Sequence, residues 1–186
     1  MLFRSIGRSR AGAVQARLGT HVVAVAREAL ARLRARAAAP TARLVLAVDG
    51  LGPRAARRWG RVLGVDRVVP QGRGDLGSRL QRQLARAQRE GAGRVVLLGS
   101  DLPSLEPGDL EAAFRALAAA PWVLGPAQDG GYWLIGARQA HPSPFAGLAE
   151  PIAWGTDAVL ASTLRLADPP GIPVRLDRES TRLNSS

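Results

Sequence analysis

The sequence predicts an α/β protein: a three-layer α/β/α sandwich built on a mainly parallel sheet. Three observations predict it. Short apolar runs alternate with longer stretches rich in Ala, Leu and Arg, the pattern of strands joined by helices. The runs at 44–48 and 95–98 are apolar throughout rather than alternating, as suits strands covered on both faces. Each then stops in a turn that carries an aspartate, Asp49-Gly50 after the first and Gly99-Ser100-Asp101 after the second. Ligands of open α/β sheets bind at that edge, outside the carboxyl ends of the strands.

Residues 7–20 are basic, contain Gly12, and precede a helix expected over 21–39, with Val22, Val25, Ala29 and Leu33 at near-helical spacing and Pro40 as its stop. The strand at 44–48 follows, then a short helix over 53–63 with Pro53 in its first turn and Trp59 as a core anchor. A strand over 65–69 closes at Pro70. Gln71-Gly72-Arg73-Gly74 is a loop, and Asp75 caps a helix that reaches about 90, with Leu76, Leu80, Leu84 and Ala87 on its apolar face. Gly91 and Gly93 bracket its exit.

The strand at 95–98 runs into Asp101, and Pro103 blocks further pairing. A helix over 107–119 begins at Pro107 and Asp109; strands follow at 122–124 and 132–135, joined by the loop 125–131. Residues 137–153 are irregular and Pro-rich. Trp154-Gly155-Thr156 leads into a helix through 166, with Thr156 as its cap, and a last strand covers 172–176. One domain is expected over 6–177. Residues 1–5 (MLFRS) and 179–186 (ESTRLNSS) resemble translated adapter DNA, so these ends are expected to be foreign and disordered, and the gene product to continue beyond them.

The chain of 186 residues is long enough for a real core, and 46% of it is apolar. It contains no Cys, which excludes disulfides and thiolate chemistry, and only His21 and His141, which excludes a His-rich metal site. No apolar run reaches the ~18 residues of a membrane span, and the N-terminus lacks the apolar core of a signal peptide, so no membrane partner and a cytoplasmic location are expected. The formal net charge is +11 and every basic residue is Arg. That suggests nucleic acid, but Arg without Lys beside heavy Ala, Gly and Pro is the usage of a GC-rich genome. Aromatic side chains for base stacking are few, which weighs against nucleic acid as a partner.

Asp101 is the leading candidate for chemistry, since a carboxylate at the end of a central strand can hold a hard cation against a pyrophosphate. The alternative is a strand followed by an Asx turn. Three further stretches stand with it: Gly74-Asp75-Leu76-Gly77-Ser78-Arg79-Leu80, Gly125-Pro126-Ala127-Gln128-Asp129-Gly130-Gly131-Tyr132, and Trp154-Gly155-Thr156. In this order and spacing the set resembles a bacterial family of GT-A-type proteins. Its members are labelled glycosyltransferases, sometimes of arsenosugar biosynthesis, and are related in fold to molybdenum-cofactor and phospholactate guanylyltransferases.

The resemblance implies a GT-A (nucleotide-diphospho-sugar transferase) fold and a nucleotide over the first half of the sheet, bound by Gly12, Arg17, Gly99 and Ser100. The family's loop Pro-Gly-x-Val-Lys-Thr-Arg-Leu corresponds to 11–18 here, with Gln15 in place of the Lys and Ala16 in place of the Thr. It implies Asp101 as the ligand of Mg²⁺ or Mn²⁺, with a second acid expected near Asp177. Asp129 then binds sugar hydroxyls or acts as a base, and Gly130, Gly131, Tyr132 and Trp154 line the substrate side. The implied activity is metal-dependent transfer of a sugar from a nucleotide-diphospho-sugar to a small-molecule acceptor. Alternatives are a nucleotidyltransferase joining a nucleoside triphosphate to a phosphorylated acceptor, a non-enzymatic Arg-rich nucleic-acid-binding domain, and a truncated member without activity. The sugar, base, acceptor and oligomeric state stay open.

Overall fold

Parallel pairing organises the first part of the chain and a hairpin organises the last. The structure, a computed structural model, describes residues 2–3, 10–36, 41–127, 129–138, 152, 154, 156–166 and 174–175. Its elements in order are β1 (Leu2–Phe3), α1 (Arg10–Ala35), β2 (Val45–Val48), α2 (Pro53–Leu63), β3 (Arg67–Pro70), α3 (Leu76–Arg89), β4 (Arg94–Leu98), α4 (Pro107–Ala119), β5 (Trp122–Pro126), β6 (Tyr132–Arg138), α5 (Val159–Leu166) and β7 (Val174–Arg175). No helix among the described residues is long and apolar enough to cross a membrane.

The chain divides into two compact units, Met1–Gly72 with Leu98–Glu111, and Arg73–Leu97 with Ala112–Ser186. In the first, β1, β2 and β3 form a parallel sheet in that order, Leu2 opposite Ala47 and Val45 opposite Arg67. Leu46, Ala47 and Val48 are buried, as the unbroken apolar run requires. Val22, Val23, Ala26, Ala29, Leu30 and Leu33 are buried along α1, a stripe at helical spacing. Glu111 is buried as well, and Arg36 meets it at 2.9 Å and Arg32 at 3.7 Å, so its charge is compensated.

In the second unit the sheet order is β4-β6-β5-β7. β5 runs antiparallel to β6 and parallel to β7. The architecture is therefore mixed α/β: the pairs of the first unit and β5–β7 are parallel, as expected from sequence, and β5–β6 is antiparallel. The reason is the five-residue link between Pro126 and Tyr132, since a parallel crossover needs about a dozen residues. Leu80, Leu84, Leu117, Val123, Leu124, Leu134 and Ile135 are all buried here.

Several boundaries differ from the sequence reading. α1 starts at Arg10, not residue 21, because the run Ala-Gly-Ala-Val-Gln-Ala-Arg-Leu is itself a good helix former in which one Gly costs only about 1 kcal/mol. Residues 2–3, set aside on sequence grounds, form β1. On α3, Leu76 is exposed and Gly77 faces inward instead. α5 begins at Val159 rather than after Thr156, with Ser162 N–H bonded to Ala158 O at 2.9 Å. Gln128, Gly155, Asp177 and nearly all of 137–153 beyond Arg138 lie outside the described residues, as does the end segment 179–186.

Candidate functional site

β4 delivers its carboxyl end from the core to the surface within three residues. Leu97 and Leu98 are buried; Gly99 is exposed, Ser100 half-buried and Asp101 exposed. The chain then turns at Pro103-Ser104, with Leu105 N–H donating to Leu102 O at 3.3 Å and the Leu105 side chain buried. α4 opens with half of a capping box, in which Glu106 N–H donates to Asp109 Oδ2 at 2.8 Å. Asp109 thus does structural work. The Asp101 carboxylate makes no hydrogen bond or ion pair among the described residues, so the Asx-turn alternative is not what the structure contains. A Cβ built on Gly99 meets nothing within 4 Å, so the space beside this strand end is open.

The donor set decides what cation can fit. Among the described residues no three His, Asp or Glu cluster as a ready-made cage. One exposed, unengaged carboxylate suits an ion that takes its remaining ligands from water and substrate phosphate, which is the habit of Mg²⁺.

In the second unit the hairpin between β5 and β6 is closed by Ala127–Gly131. Ala127 N–H donates to Gly131 O at 3.0 Å, and Gly130 N–H to Ala127 O at 3.3 Å. Asp129 is exposed, and its Oδ1 accepts from Gly131 N–H at 3.0 Å, which leaves one carboxylate oxygen outward. Of the two glycines only Gly130 has positive φ, at 79°. A Cβ there would lie 2.1 Å from Asp157 O, and Leu160 N–H donates to Gly130 O at 2.8 Å. The turn is the seat on which the start of α5 rests.

Two aromatic rings pack behind it. Tyr132 and Trp154 meet edge-on, with centroids 6.3 Å apart and planes at 80°. The Tyr132 hydroxyl is buried without a well-formed hydrogen bond. Burial pushes its pKa well above the ordinary phenol range, and the Thr163 side chain beside it offsets only part of that. Trp133, on the opposite face of β6, covers Gly125, where a Cβ would come within 2.5 Å of the indole. Trp154 is half-buried against Gly77 of α3, where a Cβ would meet its ring at 2.7 Å.

The family described as an uncharacterized protein conserved in bacteria, DUF2064, matches residues 30–156. The chain belongs to this family. No curated protein matches it. Among solved structures it is similar to a crystal structure, at 1.90 Å resolution, of a candidate nucleotide-diphospho-sugar transferase from Desulfovibrio desulfuricans G20. The identity is 26%, the TM-score 0.68, and the match covers 95% of this chain and 76% of that one.

The family match holds Asp75, Gly99, Ser100, Asp101, Asp129 to Tyr132 and Trp154, and leaves out Gly12 and Arg17. Those two lie in α1, so the stretch expected to be a glycine-containing phosphate loop is helical. Asp75 behaves as expected from sequence, accepting from Ser78 N–H at 2.7 Å as the N-cap of α3. That bond holds its carboxyl below the usual carboxylate range. Arg79 donates to Gly74 O at 3.0 Å and Arg82 to Arg73 O at 2.8 Å, fixing the entry to α3.

One residue escaped the sequence reading. Gln71 is buried, with its N–H bonded to Val48 O at 2.8 Å and its amide nitrogen to Ala47 O at 3.2 Å. It extends the β2–β3 pairing past Pro70. Its only signal is a long polar residue between a strand and a glycine.

Proposed function

We propose that this family member is a transferase that acts on a nucleotide-diphospho-sugar, with Asp101 as its central residue. The observation that carries the reading is the state of that carboxylate: exposed, unengaged among the described residues, and set just past a buried strand. The likeness to a candidate nucleotide-diphospho-sugar transferase supports the class of substrate. Asp101 would hold Mg²⁺ or Mn²⁺ as its one protein carboxylate, and the open space at Gly99 leaves room for a diphosphate beside it. A bound cation would neutralise charge building on the departing nucleoside diphosphate. In the second unit, taken by itself, Asp129 has an outward oxygen that would accept a hydrogen bond from a sugar hydroxyl or take the proton of an acceptor. Gly130 is covered by Asp157 and serves the turn, Gly131 would let substrate approach the backbone, and Trp154 would offer an aromatic wall. Gly12 and Arg17 would meet the nucleotide from helix α1 rather than from a loop.

Calorimetric titration of nucleoside diphosphates and nucleotide sugars into wild type and Asp101→Asn, with Mn²⁺ and with chelator, tests this. Metal-dependent binding is expected to weaken roughly tenfold or more in the variant, the scale of a lost ligand contact. The variant is expected to melt with wild type, since the carboxylate holds nothing in place. Metal-dependent binding of equal strength in both proteins would remove Asp101 from the site.

A further inference from the structure

Helix α2 carries Arg54, Arg57, Arg58 and Arg61 at i, i+3, i+4 and i+7, which places all four on one stripe. All are exposed, and none has a hydrogen bond or ion pair among the described residues. The arrangement works against the helix. Arg54–Arg58 and Arg57–Arg61 are like-charged i,i+4 pairs, and the first turn holds no acid to offset Arg54 at the positive end of the helix dipole. Elsewhere in the same unit Arg34 pairs with Asp66 and Arg36 with Glu111. A high Arg content explains many arginines, but not four unmatched ones on a single stripe.

Beside the stripe, α2 and β3 enclose a groove of about 550 Å³. Leu51, Ala56, Val65 and Val68 line it, with Arg57 and Arg61 among them. Its one acid, Asp66, is already engaged by Leu44 N–H at 2.7 Å and by Arg34. Val62, on the same helix, is 69% exposed. β3 is an edge strand in its sheet, but exposed Arg67 and Pro70 oppose the addition of another strand, so an occupant must dock through side chains. A second copy of this chain would bring the same unmatched arginines against these. Nucleic acid would find no aromatic side chain in the groove to stack on.

We propose that this face docks an acidic segment of another protein, with its carboxylates on the arginine stripe and a bulky apolar side chain in the groove. Arg suits such bidentate carboxylate contacts, and an apolar anchor in a pocket is the usual source of affinity. The test is fluorescence anisotropy on the full chain with three labelled probes: a Glu/Leu peptide, the same peptide with Ser for Leu, and a single-stranded RNA. The Glu/Leu peptide is expected to bind at least roughly tenfold more tightly than the Glu/Ser one. It should lose a similar factor with Arg57→Gln/Arg61→Gln and, separately, with Ala56→Phe, which fills the groove without touching charge. The double variant relieves like-charge pairs and should melt no lower than wild type; the peptide pair tests the groove even if Ala56→Phe unfolds the chain. Equal binding of the two peptides, RNA binding tighter than the Glu/Leu peptide, or self-association abolished by the double variant would each overturn the proposal.

Discussion

Replacing Gly130 with Ala tests whether the Asp-Gly-Gly turn is a structural seat. Gly130 has φ 79°, a region that costs an L residue roughly 1–2 kcal/mol. The new Cβ would lie 2.1 Å from Asp157 O, 2.5 Å from its Cα and 2.6 Å from its carbonyl carbon. These are backbone atoms and cannot rotate away. The start of α5 must retreat by more than an ångström to reach ordinary contact, and the Leu160 N–H to Gly130 O bond at 2.8 Å goes with it. Losing such a bond costs about 1 kcal/mol net. With the loosened packing at buried Val159, a total of about 3 kcal/mol is expected. For a chain of this size that lowers the melting temperature by roughly 6–12 °C. Urea unfolding followed by tryptophan emission measures it. Gly131→Ala is the control: its φ is not positive, and its Cβ would meet only the Asp129 carboxylate at 3.2 Å, which can swing. That variant should stay within about 1 kcal/mol of wild type. If Gly130→Ala unfolds within about 0.5 kcal/mol of wild type, the reasoning fails.

Two further expectations concern α3. The depressed Asp75 pKa means that its cap is fully present above the unfolded value of 3.8 and is lost as pH falls through the folded value, so acid titration of stability should flatten in Asp75→Asn. Equal acid profiles for wild type and variant would rule out the cap as a contributor. In Gly77→Ala the new Cβ would stand 2.7 Å from the Trp154 ring, so the indole must move and its emission shift to the red; a spectrum that matches wild type would contradict the close packing.

What was legible in the sequence is what local chemistry decides. α2 runs over the expected residues because Pro53 suits its first position and Gly64, at φ 62°, accepts the left-handed cap. α4 is as clear, with Pro107 and Asp109 at its start. What failed is decided elsewhere in the chain. Leu76 fits the apolar period of α3, yet Gly77 faces inward because Trp154, far along the sequence, needs a notch there. The antiparallel run of β5 and β6 follows from the length of one loop, which composition does not weigh.

The same division governs the site. Aspartates stand at many junctions of this chain, and sequence gives each the same motive to bind a ligand or cap a turn. The structure separates them by which lone pairs are already taken. Asp66 accepts Leu44 N–H, Asp75 accepts Ser78 N–H, Asp109 accepts Glu106 N–H and Asp129 accepts Gly131 N–H. A carboxylate so engaged is committed to shaping backbone, and withdrawing it to hold a cation would cost the turn it closes. Asp101 carries no such commitment among the described residues. A ligand that needs negative charge can take it there without unmaking the fold, so Asp101 is suited to a cation by its freedom as much as by its place at the end of β4.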